Sequence, residues 1–489
     1  MKMLKYFYIK VRKINLSEKN IIIIIAATAQ LIQQLIANMT VVALPNILND
    51  LNFTADSIMW VNLIYLSVFV AFCIPFSKII SEYGIKKCLY FSIVALLISV
   101  VITICSFNLH MLLLSRFIQG ITSASLSVSL YVMVVEGLSE KDLGTALGIV
   151  SSSGYVGMLI APSFMGFMIH FTSWRTAFLI LIPILIVLLI LLRKIDNEWI
   201  IQNDHINYVG SLLYISSMFL FTVGIATLDE YGVIPLIISF ILLIVFLRYE
   251  KTHPRPIYDF KLLKDARYLI GNYAAMVTYF TTTIAITSLS FHLMYILEFE
   301  EYLVGLVLII SPTIMIGMSG FAGKLSNSID PRVISGIAMI FITVAMIIFF
   351  FIDFISIELI YIACIFQGIG NGLFSAPNNK YVLTLVEEKD LPDASSFLST
   401  SKEFGKILSG GIYTLILSIF IGNQALGPEH LDRLLIQSTN LMMFINILFT
   451  LSAVILLFYS KFKYEKGQNN KILELMENLK PDWFKRRGF

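Results

Sequence analysis

Runs of uninterrupted apolar side chains, such as Ile21–Ala27 and Leu181–Leu192, recur along the whole chain. A helix that crosses a bilayer needs about 20 such residues. Strands of a membrane barrel instead alternate apolar and polar over about 10 residues. Continuous runs therefore select helices and exclude the barrel. Only 14% of the 489 residues are charged and 57% are hydrophobic, whereas soluble domains run near a quarter charged. Several soluble domains of this total length could not be covered by so little charge. The chain reads as an all-α membrane protein.

Apolar windows fall at 20–46, 58–80, 88–107, 111–135, 145–169, 174–192, 207–227, 233–248, 268–296, 303–322, 332–352, 357–379, 396–421 and 436–460, a total of fourteen. An even count puts both termini on one side. The N-terminal arm carries Lys2, Lys5, Lys10, Arg12, Lys13 and Lys19, and the tail carries Lys461, Lys463, Lys466, Lys471, Lys480, Lys485, Arg486 and Arg487. Even-numbered connections hold Lys78, Lys86, Lys87, Arg193, Lys194 and the run from Arg248 to Arg267. Odd-numbered connections are acidic, with Asp50, Asp56, Asp229, Glu230, Glu298, Glu300, Glu301, Asp353, Glu358, Glu429 and Asp432 against only Arg175 and Arg433. Positive loops stay inside, so both termini are expected in the cytoplasm. Richness in Ile, Asn and Lys suits an AT-rich bacterial genome, which would make this the cell (inner) membrane. No removable signal peptide is expected, since the first apolar run lacks a small-residue cleavage site and leads into further spans. A short amphipathic helix is expected around Ile472–Leu479.

Enzyme signatures are missing. No G-x-x-x-x-G-K-[ST] cradles a phosphate, and no H-E-x-x-H or Cys/His cluster has metal-ligand spacing. Cys73, Cys88, Cys105 and Cys364 lie in or beside apolar runs and read as small packed thiols. The expectation is no enzyme, no cofactor and no metal. The partners are a small-molecule substrate, protons and the bilayer, with no nucleic acid, and the chain is expected to be a monomer.

Polar groups inside spans carry what remains. Arg116 reads as the only Lys or Arg well inside a span and away from the cytoplasmic edge. A guanidinium in hydrocarbon costs several kcal/mol, so it must face a partner or a wet cavity. Gln30, Gln34 and Asn38 recur at i, i+4 and i+8 and line one helix face, and with Gln119 and Asn371 they describe a polar, non-acidic substrate cavity. Two carboxylates are candidates for proton coupling or gating beside Arg116. Glu136 ends the fourth window, and Glu403, flanked by Lys402 and Lys406, stands two or three turns into the thirteenth. In the fifth, Gly154, Gly157, Ala161, Pro162 and Gly166 form a string that permits close helix approach and a bend.

Arg116-x-x-Gln119-Gly120 resembles the span-four motif of the major facilitator superfamily, and the Gly154–Gly166 string resembles its antiporter motif. Trp60-Val61-x-x-x-Tyr65, Trp174-Arg175 with Phe178 and Pro183, Pro256-Ile257-x-Asp259-x-x-Leu262, Gly305-Leu306 with Pro312, and Gln367-Gly368-x-Gly370-x-Gly372 with Pro377 are similar to further motifs. Their order resembles the drug:proton antiporter family with fourteen helices, from about Ala37 to Gly411. The resemblance implies two six-helix bundles plus two additional central helices. The expected divisions are a basic arm (1–19), an N-terminal bundle (20–192), loops with the inserted pair (193–267), a C-terminal bundle (268–460) and a basic tail (461–489). It implies export of small amphipathic or lipophilic compounds, as in multidrug efflux, by proton antiport through alternating access. The family's loop acids are replaced by Ser81 and Asn327, and no acid precedes Ala43-Leu44-Pro45. Two alternatives follow: an exporter of an endogenous lipid, siderophore or metabolite, and a non-transporting membrane sensor of the same fold.

Overall fold

The computed structural model describes residues 16–51, 55–199, 206–228, 231–352, 356–422 and 432–478. Most of the basic arm, the end of the tail from Leu479, and Asp229, Glu230, Asp353 and Glu429 lie outside the described residues. Among the described residues, fourteen helices are long and apolar enough to cross a membrane. Spans one to six are Glu18–Leu51, Trp60–Tyr83, Ile85–Ile104, Leu109–Gly137, Glu140–Phe171 and Trp174–Arg193. Spans seven and eight are Tyr208–Ala226 and Val233–Thr252. Spans nine to fourteen are Ala266–Ile296, Tyr302–Leu325, Pro331–Phe350, Ile357–Thr384, Glu388–Ile421 and Asp432–Lys461. Below, the basic face is the side where Gly84 joins spans two and three, next to Lys86 and Lys87; the acidic face is the other.

Local chemistry sets many helix ends. Asn108 Oδ1 accepts from Met111 N at 2.8 Å and Asn207 Oδ1 accepts from Gly210 N at 3.0 Å, satisfying first-turn donors of spans four and seven. Asp265 and Asp330 do the same for spans nine and eleven, each also gripping an arginine two residues on. Span nine finishes in a π-helical turn, His292–Ile296. The last helix runs unbroken from Asp432 to Asn478, so no separate helix stands at 472–478.

Helix packing repeats with an offset of eight spans. Span one packs on five and nine on thirteen; two on four and ten on twelve; three on four and eleven on twelve; three on six and eleven on fourteen. Spans seven and eight fall outside this repeat: they pack on each other, and span seven lies along spans two and thirteen. In lipid no hydrophobic drive favours helix association, so close van der Waals packing and interhelical hydrogen bonds hold the contacts.

Span thirteen differs from the expectation. Its helix begins at Glu388 rather than near 396, because Leu391, Pro392 and Asp393 continue the helix into the basic-face contacts and are buried there. Lys402 and Glu403 therefore stand about four turns in, near mid-helix.

Candidate functional site

The two bundles close against each other at the basic face. Span five meets span ten where Ser152 Oγ donates to the Ile316 carbonyl at 2.9 Å and Ser319 Oγ to the Gly148 carbonyl at 3.3 Å. Asn327, standing where the family places an acid, accepts from Gly144 N at 3.0 Å and from Lys380 Nζ at 2.8 Å, and donates to Thr145 Oγ1 at 3.1 Å. An amide serves here because one group must both accept and donate. Span thirteen meets spans two and four through Lys78–Asp393 at 3.4 Å, Ser395 Oγ to the Val128 carbonyl at 2.9 Å, and Ser127–Ser399 at 2.9 Å. Intramembrane bonds of this kind contribute about 0.6 kcal/mol each, little enough for the interface to open. Towards the acidic face, Pro162 and Gly166 are exposed, and a Cβ on Gly166, Gly305 or Gly410 would meet nothing within 4 Å.

Above this closure lies a small cavity between the bundles. Span one supplies Gln30, Gln33 and Gln34; span two Tyr65 and Phe69; span four Tyr131; span nine Tyr279; span thirteen Lys402, Glu403 and Lys406. Gly405 puts these three charges there, since a Cβ on it would stand 2.3 Å from the Met276 carbonyl oxygen of span nine. Lys406 Nζ donates to Glu403 Oε1 at 2.7 Å. Lys402 Nζ donates to the Tyr131 hydroxyl at 3.3 Å and sits 4.6 Å from the centre of that ring. Lys402 is 5% and Glu403 8% exposed. Lys402 and Lys406 correct the expectation that Arg116 is alone: three cationic side chains stand deep among the spans.

Gln30 and Gln34 line the cavity as the helical spacing predicts. The other amides turn elsewhere. Asn38 donates to the Gln34 carbonyl at 2.8 Å. Asn371 accepts from Thr282 Oγ1 at 3.0 Å between spans twelve and nine. Gln119 joins Arg116 to Thr103, donating to the latter at 3.0 Å. Arg116 is 1% exposed and does not reach the cavity. Its Nε donates to the Val61 carbonyl at 3.3 Å, and its guanidinium stacks 4.7 Å from the centre of the Tyr65 ring. It stands one layer behind the cavity wall. Glu136 sits beside Glu388 at the basic face. In the glycine string, Gly154 and Gly157 press span five onto span one: a Cβ on Gly157 would lie 2.8 Å from Gln34 Cβ. Ala161 is fully buried.

Other motif residues have structural work. Trp174 Nε1 donates to Asp50 at 3.1 Å, Arg175 pairs with the same carboxylate and donates to the Ser106 carbonyl at 2.8 Å, tying spans one, three and six at the acidic face. Asp259 N donates to Asp393 Oδ2 at 2.9 Å and Ser77 Oγ to the Ile257 carbonyl at 3.4 Å, so the segment before span nine is wedged into the basic-face closure. Glu250 grips that segment from span eight, accepting from Ile257 N at 2.6 Å. Tyr65, Tyr131 and Tyr279 could not be singled out among 22 tyrosines; only Trp60-Val61-x-x-x-Tyr65 marked one of them.

The chain matches the Major Facilitator Superfamily profile over residues 26–410 and again over 270–475. Among curated proteins it is similar to the riboflavin transporter RibZ of Clostridioides difficile (strain 630), 24% identical over 405 residues, with 82% of this chain and 88% of that one covered. It is equally similar to the uncharacterized transporter YebQ of Escherichia coli (strain K12), 24% identical over 409 residues, covering 82% and 89%. Among solved structures, the human organic anion transporter MFSD10 (TETRAN) superposes with a TM-score of 0.65 at 11% identity, covering 88% of this chain and 99% of that one. The proton:xylose symporter XylE bound to 6-bromo-6-deoxy-D-glucose gives 0.63 at 11%, covering 89% and 96%. With fourteen apolar helices in the superfamily's arrangement, this multi-pass membrane chain is a transporter and not an enzyme, and it belongs to the Major Facilitator Superfamily.

Proposed function

We propose that the protein carries a small amphipathic compound across the membrane by alternating access, with substrate and proton meeting at Lys402, Glu403 and Lys406. The observation that carries this reading is a charged cavity between two bundles that are zipped together at the basic face. Charge at mid-span is costly unless it serves a ligand or an ion path. Rocking of the bundles about such a cavity exposes it to each side in turn. Glu403 is the proton-linked carboxylate, and Arg116 acts on the cavity through Tyr65. The basic face is cytoplasmic, by the charge bias of its loops.

Export in exchange for protons, as in multidrug efflux, is the form that the antiporter-like string favours, since Gly154 and Gly157 lock span five against the cavity glutamines. A second form, transport of an endogenous aromatic metabolite, is supported by the similarity to a protein named for riboflavin and by the tyrosine-lined cavity. The test is proton flux in vesicles of purified protein across a compound panel. A transported compound is expected to move protons, and Glu403→Gln to uncouple them. Compound binding with neither compound nor proton movement would instead favour the sensor.

A further inference from the structure

We infer that the central cavity takes a small aromatic anion, held between Lys402 and Lys406, and that this anion crosses together with a proton on Glu403. The inference rests on the transporter reading, names its substrate class and, for that class, replaces exchange against protons with co-transport. The charged groups lining the cavity are two ammonium groups against one carboxylate. Lys406 is matched by Glu403 at 2.7 Å. Lys402 is not matched: among the described residues it finds the Tyr131 hydroxyl and the ring faces of Tyr131 and Tyr279, 4.6 and 5.9 Å from their centres, but no carboxylate other than the one Lys406 holds. A buried ammonium with one hydroxyl and two ring faces but no carboxylate of its own is under-compensated, and an incoming anion would complete it.

The surroundings do not supply that anion. Tyr65 and Cys73 face Glu403 from span two, Tyr131 from span four and Tyr279 from span nine. Tyr155 of span five lies behind the last two, and Tyr214 of span seven lies near Cys73 and Thr400. Arg116, beyond Tyr65, adds another positive charge on that side. None of these neighbours is a carboxylate. The remaining wall suits a flat ring system: Tyr65, Phe69 and Leu66 provide aromatic and apolar surface, while Gln30 and Gln34 offer hydrogen bonds.

Charge also sets the sense of coupling. A proton on Glu403 cancels the only negative charge in the cavity and releases Lys406 from its ion pair, leaving two ammonium groups for the ligand. An anion therefore binds the protonated cavity more tightly, and by reciprocity the bound anion draws the proton on. Ligands that strengthen each other's binding cross together; a cation would compete with the proton and be exchanged for it. The proton enters from the side to which the cavity is open, rides on the Glu403 carboxyl and leaves on the opposite side with the anion.

The test uses three probes with one ring system: naphthalene-1-sulfonate, 1-naphthol and trimethyl(1-naphthyl)ammonium. The sulfonate stays ionised, so any pH dependence belongs to the protein. By calorimetry on the purified full chain, the sulfonate is expected to bind at least about tenfold tighter than the ammonium compound, and to take up protons on binding. Lys402→Gln and Lys406→Gln are expected to weaken the sulfonate about tenfold while leaving 1-naphthol within about threefold, which also shows that the variants are folded. Glu403→Gln is expected to keep sulfonate affinity and to take up fewer protons when the sulfonate binds. In proteoliposomes an acid-outside gradient should drive sulfonate accumulation. Preference for the ammonium compound, proton release on sulfonate binding, or binding of none of the three overturns the inference. If the sulfonate binds as described but no gradient moves it, the transporter reading fails and the anion site stands. If a neutral or cationic compound is moved while the sulfonate is not bound, the anion class fails and the transporter reading stands.

Discussion

Gly144 of span five and Gly323 of span ten meet backbone to backbone: a Cβ on Gly144 would lie 2.4 Å from the Gly323 carbonyl oxygen, and one on Gly323 would lie 2.5 Å from that of Gly144. No side chain can separate them while the basic face is closed. Gly144→Val is therefore expected to disfavour the closed state by about 1–3 kcal/mol, the usual overpacking cost. Spin labels at Lys141→Cys and Ser328→Cys should report a longer distance in this variant, with slower transport. An unchanged distance distribution would contradict the role given to this contact.

Asp393 serves two partners at the same closure, Lys78 Nζ at 3.4 Å and Asp259 N at 2.9 Å, and is 3% exposed. Asp393→Ala leaves both without this acceptor and is expected to weaken the closed state by about 3 kcal/mol. Asp393→Asn retains an acceptor for Asp259 and should cost less. Maleimide labelling of Ser127→Cys from the basic face measures this, and the expected order of labelling is Ala above Asn above the parent.

Arg116 supports the Tyr65 ring from behind. Arg116→Ala is expected to abolish transport with the protein still in the membrane. Arg116→Lys should recover little, because an ammonium cannot reproduce the planar stack and the paired contacts to Val61 and Gln119. Normal transport by Arg116→Ala would remove this residue from the mechanism.

Dicationic compounds are expected to be poor substrates. Two lysines against one glutamate leave the cavity positive, and a like charge placed there costs several kcal/mol. Uptake or efflux assays with a dication and its neutral analogue, run side by side in proteoliposomes, check this. Robust movement of the dication would count against the charge assignment.

Asp330 caps span eleven between the membrane segments. Burial alone would raise its carboxyl, but hydrogen bonds from Arg332 outweigh burial and hold it below the usual 3.8. A carboxylate lowered on folding stabilises the protein above 3.8 and loses that contribution as pH falls through its lower folded value. Asp330→Ala is therefore expected to cost about 1 kcal/mol near neutral pH, the loss of a cap. The difference should shrink only below pH 3.8. Thermal unfolding in detergent across pH reads both.

The sequence determined the class of the molecule. Apolar length counts spans directly, so all fourteen windows correspond to helices, and the helical period of Gln30 and Gln34 puts both on the cavity face. The Gly154–Gly157 string likewise reports close helix approach, because only small residues permit it. Tertiary structure decided which polar groups share a site. Asn38, Gln119 and Asn371 are as polar as Gln30, but neighbouring helices turn them into other contacts. From the sequence, Lys402 and Lys406 only flank Glu403, two or three turns into the thirteenth window. Burial of Asp393 in the closure carries the helix back to Glu388 and moves all three to mid-span. Local sequence fixes a helix and its faces; depth and company depend on which distant helix packs against it, and that is a property of the folded pair.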